Sequence, residues 1–189
     1  MAKSRFSSNA GFSLIEVLVA TGLLATAVVT LAQLFVVSTR SNMGARNSTY
    51  ATVLAEQKLE ELRALTWGFD SQGLPLTDIT TNTAVTPETP TGGTGLTPSP
   101  STALQENTVG YVDHIDAYGN KVSAAALPPG DASYTRRWSI EPLPTNPNNT
   151  IVIQVMVTRQ RNRGTADEGA VARLPEEARI VTVKTRKAQ

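Results

Sequence analysis

The chain has 189 residues, enough for one modest globular domain with an appendage. It contains no cysteine and a single histidine, His114, which excludes disulfide staples, thiolate metal sites, cysteine nucleophiles and any multi-histidine metal site within one chain. Its 17 basic and 16 acidic side chains leave a net charge of +1, so bulk charge makes no case for a nucleic-acid partner.

Residues 1–11 are polar and carry Lys3 and Arg5 but no acid. Removing them would leave 15 basic and 16 acidic side chains. At Phe12 the character changes abruptly. From Val17 to Thr39, 23 residues, no side chain is charged. As a helix this stretch would span about 35 Å, enough for the roughly 30 Å hydrocarbon core of a bilayer. Positive charge precedes the run and none follows until Arg40, which favours a cytoplasmic N-terminus and a main domain on the outer side.

Three readings compete for the segment. A cleaved secretory signal finds a small-x-small site in Ala25-Thr26-Ala27. The apolar run nevertheless continues about ten residues beyond it, and Glu16 sits inside the expected apolar core. A plain signal anchor explains length and orientation but again leaves Glu16 unexplained. An acid near the end of a membrane helix is costly and by default functional. The third reading uses every residue. The stretch Gly11-Phe12-Ser13-Leu14-Ile15-Glu16-Val17-Leu18-Val19-Ala20 resembles the processing site of type IV prepilins and type II secretion pseudopilins.

The resemblance implies cleavage by prepilin peptidase between Gly11 and Phe12, then methylation of the new amine on Phe12. Gly11 has no side chain, so a membrane-embedded peptidase can approach its carbonyl closely. Both residues are then substrate positions of another enzyme. Glu16 becomes the fifth residue of the mature chain. Unpaired in lipid its charge is unfavourable, whereas a neighbouring subunit's terminal ammonium would pair with it strongly at low dielectric. Glu16 is thereby the expected filament-assembly residue, a register device. Gly22 and the small residues Ala20, Thr21, Ala25, Thr26 and Ala27 permit close helix approach, or are ordinary membrane-helix composition. Many major pilins have a kinking proline where this chain has Gln33, so a straighter stem is expected, which disfavours a major subunit.

After Arg40 the pattern turns amphipathic. Tyr50, Leu54, Leu59, Leu62 and Leu65 recur near helical spacing, with Ala51, Ala55 and Ala64 on the same side. Glu56, Lys58, Glu60, Glu61 and Arg63 are expected mostly away from that stripe. Val53-Leu54-Ala55-Glu56-Gln57-Lys58-Leu59-Glu60-Glu61-Leu62-Arg63 is similar to the stem of PilV-type minor pilins and of minor pseudopilins. One helix from Phe12 to about Leu65 is expected, ending near Gly68, its 12–39 portion transmembrane and its 40–67 portion amphipathic. Residues 68–110 are rich in proline, glycine and threonine and read as a long irregular loop, whether disordered, glycosylated or packed over a sheet.

The remainder, 111–189, reads as β. A short hairpin is expected around Tyr118-Gly119-Asn120. Tyr134, Arg136, Trp138 and Ile140 alternate with Thr135, Arg137, Ser139 and Glu141, and Ile151, Ile153, Val155 and Val157 alternate with Val152, Gln154, Met156 and Thr158. A last strand covers 180–185. Three or four antiparallel strands packed on the amphipathic half-helix give an α+β fold, the pilin-like architecture the resemblance also implies.

Little points to catalysis. Asp113, His114, Asp116 and Asn120 are a poor match to a calcium loop and read as a polar hairpin. Arg159, Arg161, Arg163, Lys184, Arg186 and Lys187 could form a basic patch, with solvated strand ends as the simpler account. No phosphate loop, paired-carboxylate site or nucleophile elbow is visible, so no catalytic residue, metal or cofactor is expected. The resemblance implies a minor pilin of a type IV pilus, with a type II secretion minor pseudopilin as the alternative. Its partners would be other pilins, the pilus assembly machinery, prepilin peptidase and the inner membrane, with no nucleic acid. The head would be periplasmic before assembly into a surface pilus or periplasmic pseudopilus. A membrane-anchored periplasmic binding module would explain the head but not Glu16.

Overall fold

The computed structural model describes residues 11–160 and 177–186. The chain forms two compact units, Met1–Met43 and Gly44–Gln189. Most of the expected leader, residues 1–10, lies outside the described residues.

The first unit consists of the N-terminal portion of helix α1, whose full extent is Leu14–Ala64. Ser13 opens it: the Ser13 carbonyl accepts the amides of Glu16 at 3.0 Å and Val17 at 3.2 Å. Every described residue of this unit up to Met43 is exposed, large aliphatic side chains included. Three of its threonine hydroxyls bond back onto the helix. Thr21 Oγ1 donates to the Val17 carbonyl at 2.9 Å, Thr26 Oγ1 to Leu23 at 2.8 Å and Thr30 Oγ1 to Thr26 at 2.8 Å. The segment is long and apolar enough to cross a membrane.

The second unit is an α+β head. Ala51, Leu54, Ala55, Leu59 and Leu62 of α1 are buried, with Leu65 just beyond. They pack on one face of a five-stranded antiparallel sheet of order β4-β3-β5-β6-β7. The strands are β3 Val112–Ile115, β4 Lys121–Ser123, β5 Tyr134–Pro142, β6 Thr150–Arg159 and β7 Ala178–Thr185. The period-2 pattern sets the register: Trp138 faces Val155 and Ile140 faces Ile153 across β5 and β6. These residues meet the leucine stripe, and each fully buried aliphatic contributes about 1.5–3 kcal/mol of transfer free energy.

Several expectations are corrected. The sheet has five strands rather than three or four, because β4 and β3 pair as the expected hairpin and β3 also pairs with β5. Gly68 does not simply terminate the helix. It lies in β1 (Trp67–Phe69), which pairs with β2 (Pro75–Thr77) in a separate two-stranded sheet. Ala64 is exposed rather than part of the buried stripe. Lys58, expected away from the stripe, is wholly buried.

The loop to residue 110 is packed rather than open. Leu96, Ala103 and Leu104 are buried, and the Ser99 amide donates to the Ile140 carbonyl at 2.9 Å. Asp78 knots its start, accepting from the Thr80 and Thr81 amides and from Thr81 Oγ1 at 2.6 Å. Gly93 is needed for the close return of the chain: a Cβ there would stand 2.3 Å from the Asn82 Cα.

Candidate functional site

Two places carry polar chemistry that apolar packing does not explain, and each lies within one unit. The first is the start of α1. Gly11 precedes the helix, and a Cβ placed on it would meet nothing within 4 Å. Phe12 is 83% exposed, so the Gly11–Phe12 peptide bond is open to approach. Glu16 lies in the first helical turn, where a negative charge is favoured by the exposed amides of the helix start. Its carboxylate is exposed and makes no ion pair among the described residues. Phe12, Glu16, Val17, Ala20, Thr21 and Leu24 line one shallow groove along the helix. An aromatic, an exposed acid and small residues thus share one face. The Gly11–Phe12 bond and the Glu16 carboxylate are therefore both open to solvent on one side of the helix start.

The second place is a buried charge cluster between α1 and the sheet. Asp113 on β3 is wholly buried. Arg136 on β5 grips it bidentately, Nε to Oδ1 and Nη2 to Oδ2 each at 2.8 Å. Arg136 Nη1 also donates to the Leu54 carbonyl of α1 at 2.9 Å. Lys58 Nζ lies 3.2 Å from Asp113 Oδ2 and donates to the Thr83 carbonyl at 2.7 Å and Thr83 Oγ1 at 2.8 Å. The same ammonium stands 3.8 Å from the Trp138 ring centroid. Lys121 completes the outer edge, 2.9 Å from Glu61 and 2.8 Å from the Thr83 carbonyl.

The electrostatics follow from this geometry. Burial pushes the Asp113 carboxyl up, but the Lys58 ammonium and Arg136 guanidinium outweigh it and hold the group below its usual range. For Lys58 burial wins, lowering the amine to about 8 against the attraction of Asp113. Two cations therefore share one ionised carboxylate. Glu61, 3.4 Å from Lys58 Nζ, adds a second carboxylate at the outer edge of the cluster. The cluster clamps helix, sheet and loop together.

The other polar residues singled out from the sequence do not converge among the described residues. His114 is buried, with Nδ1 3.1 Å from Thr135 Oγ1 and Nε2 2.9 Å from the Ala125 carbonyl. Asp116 closes the β3–β4 turn by accepting from the amides of Tyr118 and Asn120 at 2.8 and 2.9 Å. Asp113 belongs to the clamp. Of the basic residues, Arg161, Arg163 and Lys187 lie outside the described residues. Lys184 donates to the carbonyls of Arg63 at 2.7 Å and of Leu65 at the end of α1. Arg186 stacks 3.7 Å from the Trp67 ring centroid and donates to the Gly68 and Leu76 carbonyls, tying β1 and β2 to β7. Those two cations are engaged structurally.

Sequence reasoning missed Lys58 as a core residue and the pairing of Arg136, although a signal was present. Lys58 lies four residues from both Leu54 and Leu62, and Arg136 alternates in phase with Tyr134 and Trp138. A charge in core phase on both facing elements, with Asp113 nearby, points to a buried pair. No family model, curated protein or solved structure matches the chain.

Proposed function

We propose that this chain is the precursor of a minor pilin of a type IV pilus. It inserts in the inner membrane by the apolar half of α1 and is cut by prepilin peptidase after Gly11. The subunit then takes part in priming or building the filament. The observation that carries this reading is the exposed Gly11–Phe12 bond followed by Glu16, which makes no ion pair among the described residues, at the start of an exposed run with no other charge up to Thr39. An unbroken helix through Gln33 supports a minor rather than a major subunit. An α+β head, with its leucine stripe on an antiparallel sheet, fits the pilin plan. In this reading the protein is an assembly subunit rather than an enzyme, its head is periplasmic before assembly, and its partners are other pilins and the assembly machinery. The same processing site would serve a minor pseudopilin of a type II secretion system.

Intact-mass and N-terminal analysis of membrane-extracted protein, with and without the peptidase, tests the proposal. The expected chain begins at N-methylated Phe12 only when the peptidase is present. A chain still beginning near Met1, or cut near Ala27, refutes it. Deletion then separates the two filament systems: lost piliation and twitching mark the pilus, and lost protein secretion marks the pseudopilus.

A further inference from the structure

The head carries a cavity that neither the start of α1 nor the buried charge cluster accounts for. It measures about 210 Å³ and lies where the chain at 82–84 and 92–94 meets Gly110 before β3, Ala124 after β4 and Trp138 of β5. That is larger than the ~150 Å³ of a cavity able to hold a benzene ring. Gly92 and Val109 are exposed, so the mouth is at the surface, whereas Thr83, Ala84 and Trp138 are buried and form the inner wall.

That wall is rich in donors. Among the described residues, Trp138 Nε1 and Ser139 Oγ are the buried side-chain polar atoms without a hydrogen-bond partner, and of these two residues Trp138 lines the cavity. A buried N–H normally finds an acceptor, because leaving it bare costs free energy. Asn82 Oδ1 is occupied by the Ala84 amide at 3.0 Å, which leaves the Asn82 side-chain nitrogen to donate. Thr83 Oγ1 accepts from Lys58 Nζ at 2.8 Å, which leaves its own proton to give. No acid lines the cavity among the described residues. Directly behind Thr83, the ammonium groups of Lys58 and Lys121 donate to its carbonyl at 2.7 and 2.8 Å. With Arg136 they set three cations against the two carboxylates Asp113 and Glu61, so the cluster behind the wall is net positive.

We propose that this cavity is a binding site for a small carboxylate, whose oxygens accept from Asn82, Thr83 and the Trp138 indole. A carboxylate suits the wall better than a neutral acceptor does. Donors bond most strongly to an ionised oxygen, and the surplus positive charge behind Thr83 favours an anion. Ala84 and Ala124 leave an apolar strip for a short carbon chain. The site stands on the geometry of the head alone and is independent of the subunit role proposed above.

The chain has two tryptophans, which makes the test direct. A proton–nitrogen correlation spectrum of the full chain in detergent contains one indole signal from each, and Trp67→Phe assigns them. Trp67 Nε1 already donates to the Asn149 carbonyl at 3.2 Å, so its signal is the internal reference. Acetate, lactate and succinate would be titrated in as sodium salts against matched sodium chloride, with lactamide as the neutral counterpart of lactate. The expected result is a saturable shift of the Trp138 signal with at least one carboxylate while the Trp67 signal stays in place. Lactamide should bind about tenfold more weakly than lactate, the size of one hydrogen bond to a charged group. Asn82→Asp keeps the acceptor for the Ala84 amide but puts a negative charge where the donor was. It should weaken carboxylate binding by about tenfold or more, with an unchanged Trp67 signal showing that the head is still folded. Three results overturn the proposal: a Trp138 signal that none of the carboxylates moves, two indole signals that move together, or binding that lactamide equals or Asn82→Asp leaves unchanged.

Discussion

The two halves of α1 share a backbone but differ in what surrounds them. From Leu14 to Met43 every described side chain is exposed, Leu23, Phe35 and Val37 among them. From Ala51 to Leu62 one face is sealed against the protein's own sheet. A run of exposed aliphatics this long exceeds what a soluble monomer leaves in water. The first half is long and apolar enough to cross a membrane. The second half finds its apolar surroundings inside the chain, and can then hold charges because the protein supplies their partners. Polarity is handled accordingly: the charged side chains of the first half, Glu16 and Arg40, are exposed, whereas Lys58 of the second enters the interior and meets Asp113 there.

The sharpest way to break this contrast is to remove the shared anion. Asp113→Ala leaves Arg136 buried without its carboxylate and Lys58 with Glu61 alone, and should destabilise the head by about 3–5 kcal/mol. Urea unfolding of the detergent-solubilised chain, followed by tryptophan fluorescence, measures this; a loss below about 1 kcal/mol would show that the clamp holds nothing. Next comes the pair Leu62→Ala and Leu23→Ala. The first opens a cavity in the core and should cost about 2–5 kcal/mol. The second, in the exposed half, should leave head unfolding within about 0.5 kcal/mol of the parent. Equal effects would erase the distinction between the halves.

The pH response sharpens the comparison further, and both groups make stability rise with pH, each in its own window. Asp113 is held below its ordinary value of 3.8, so its contribution is complete above that pH and falls away as acid titrates the folded carboxyl. Lys58 is lowered from 10.5 to about 8, so the unfolded chain binds more protons between those values. Stability should therefore rise with pH across that window, and a Lys58→Met variant should lack the rise. A parent curve parallel to the variant's would contradict the assignment. The smallest effect on stability is expected from Glu16→Gln, because Glu16 touches no core residue. Head unfolding should not move, and the chain should still be cut after Gly11, yet sheared filaments should lack it. Normal incorporation of that variant would remove Glu16 from the assembly role.

Much of this architecture was legible in the sequence. Uncharged length marked the first half of α1, and leucine spacing marked the second. Period-2 alternation placed β5 and β6 within a residue or two, because a strand with one buried face must keep its phase. What escaped detection shares a physical cause. The β1–β2 pair rests on few residues and is held by Arg186, more than a hundred positions away in the chain. The loop to residue 110 is ordered by single contacts such as Asp78 with Thr81 and Ser99 with Ile140, which leave no periodic trace. Lys58 was misread because composition rules treat charge as exposed, and only the joint placement of three elements shows that it and Arg136 have a partner in Asp113. The Gly11–Phe12–Glu16 spacing was legible as a motif, and the structure adds that its groups are accessible.

The Lys184 contact at the end of α1 has a consequence for the order of folding. Its ammonium reaches the Arg63 and Leu65 carbonyls across 121 and 119 positions of sequence. A chain made from its N-terminus has a finished helix long before the residue that seals that helix's end exists. The head can close only when β7 emerges, and until then the leucine stripe faces an incomplete sheet. Such long-range closure is slow, so a newly made chain passes through an interval in which its sticky surface is uncovered. Truncations just before Ala178 should therefore be degraded or aggregate far more readily than their small loss of length suggests.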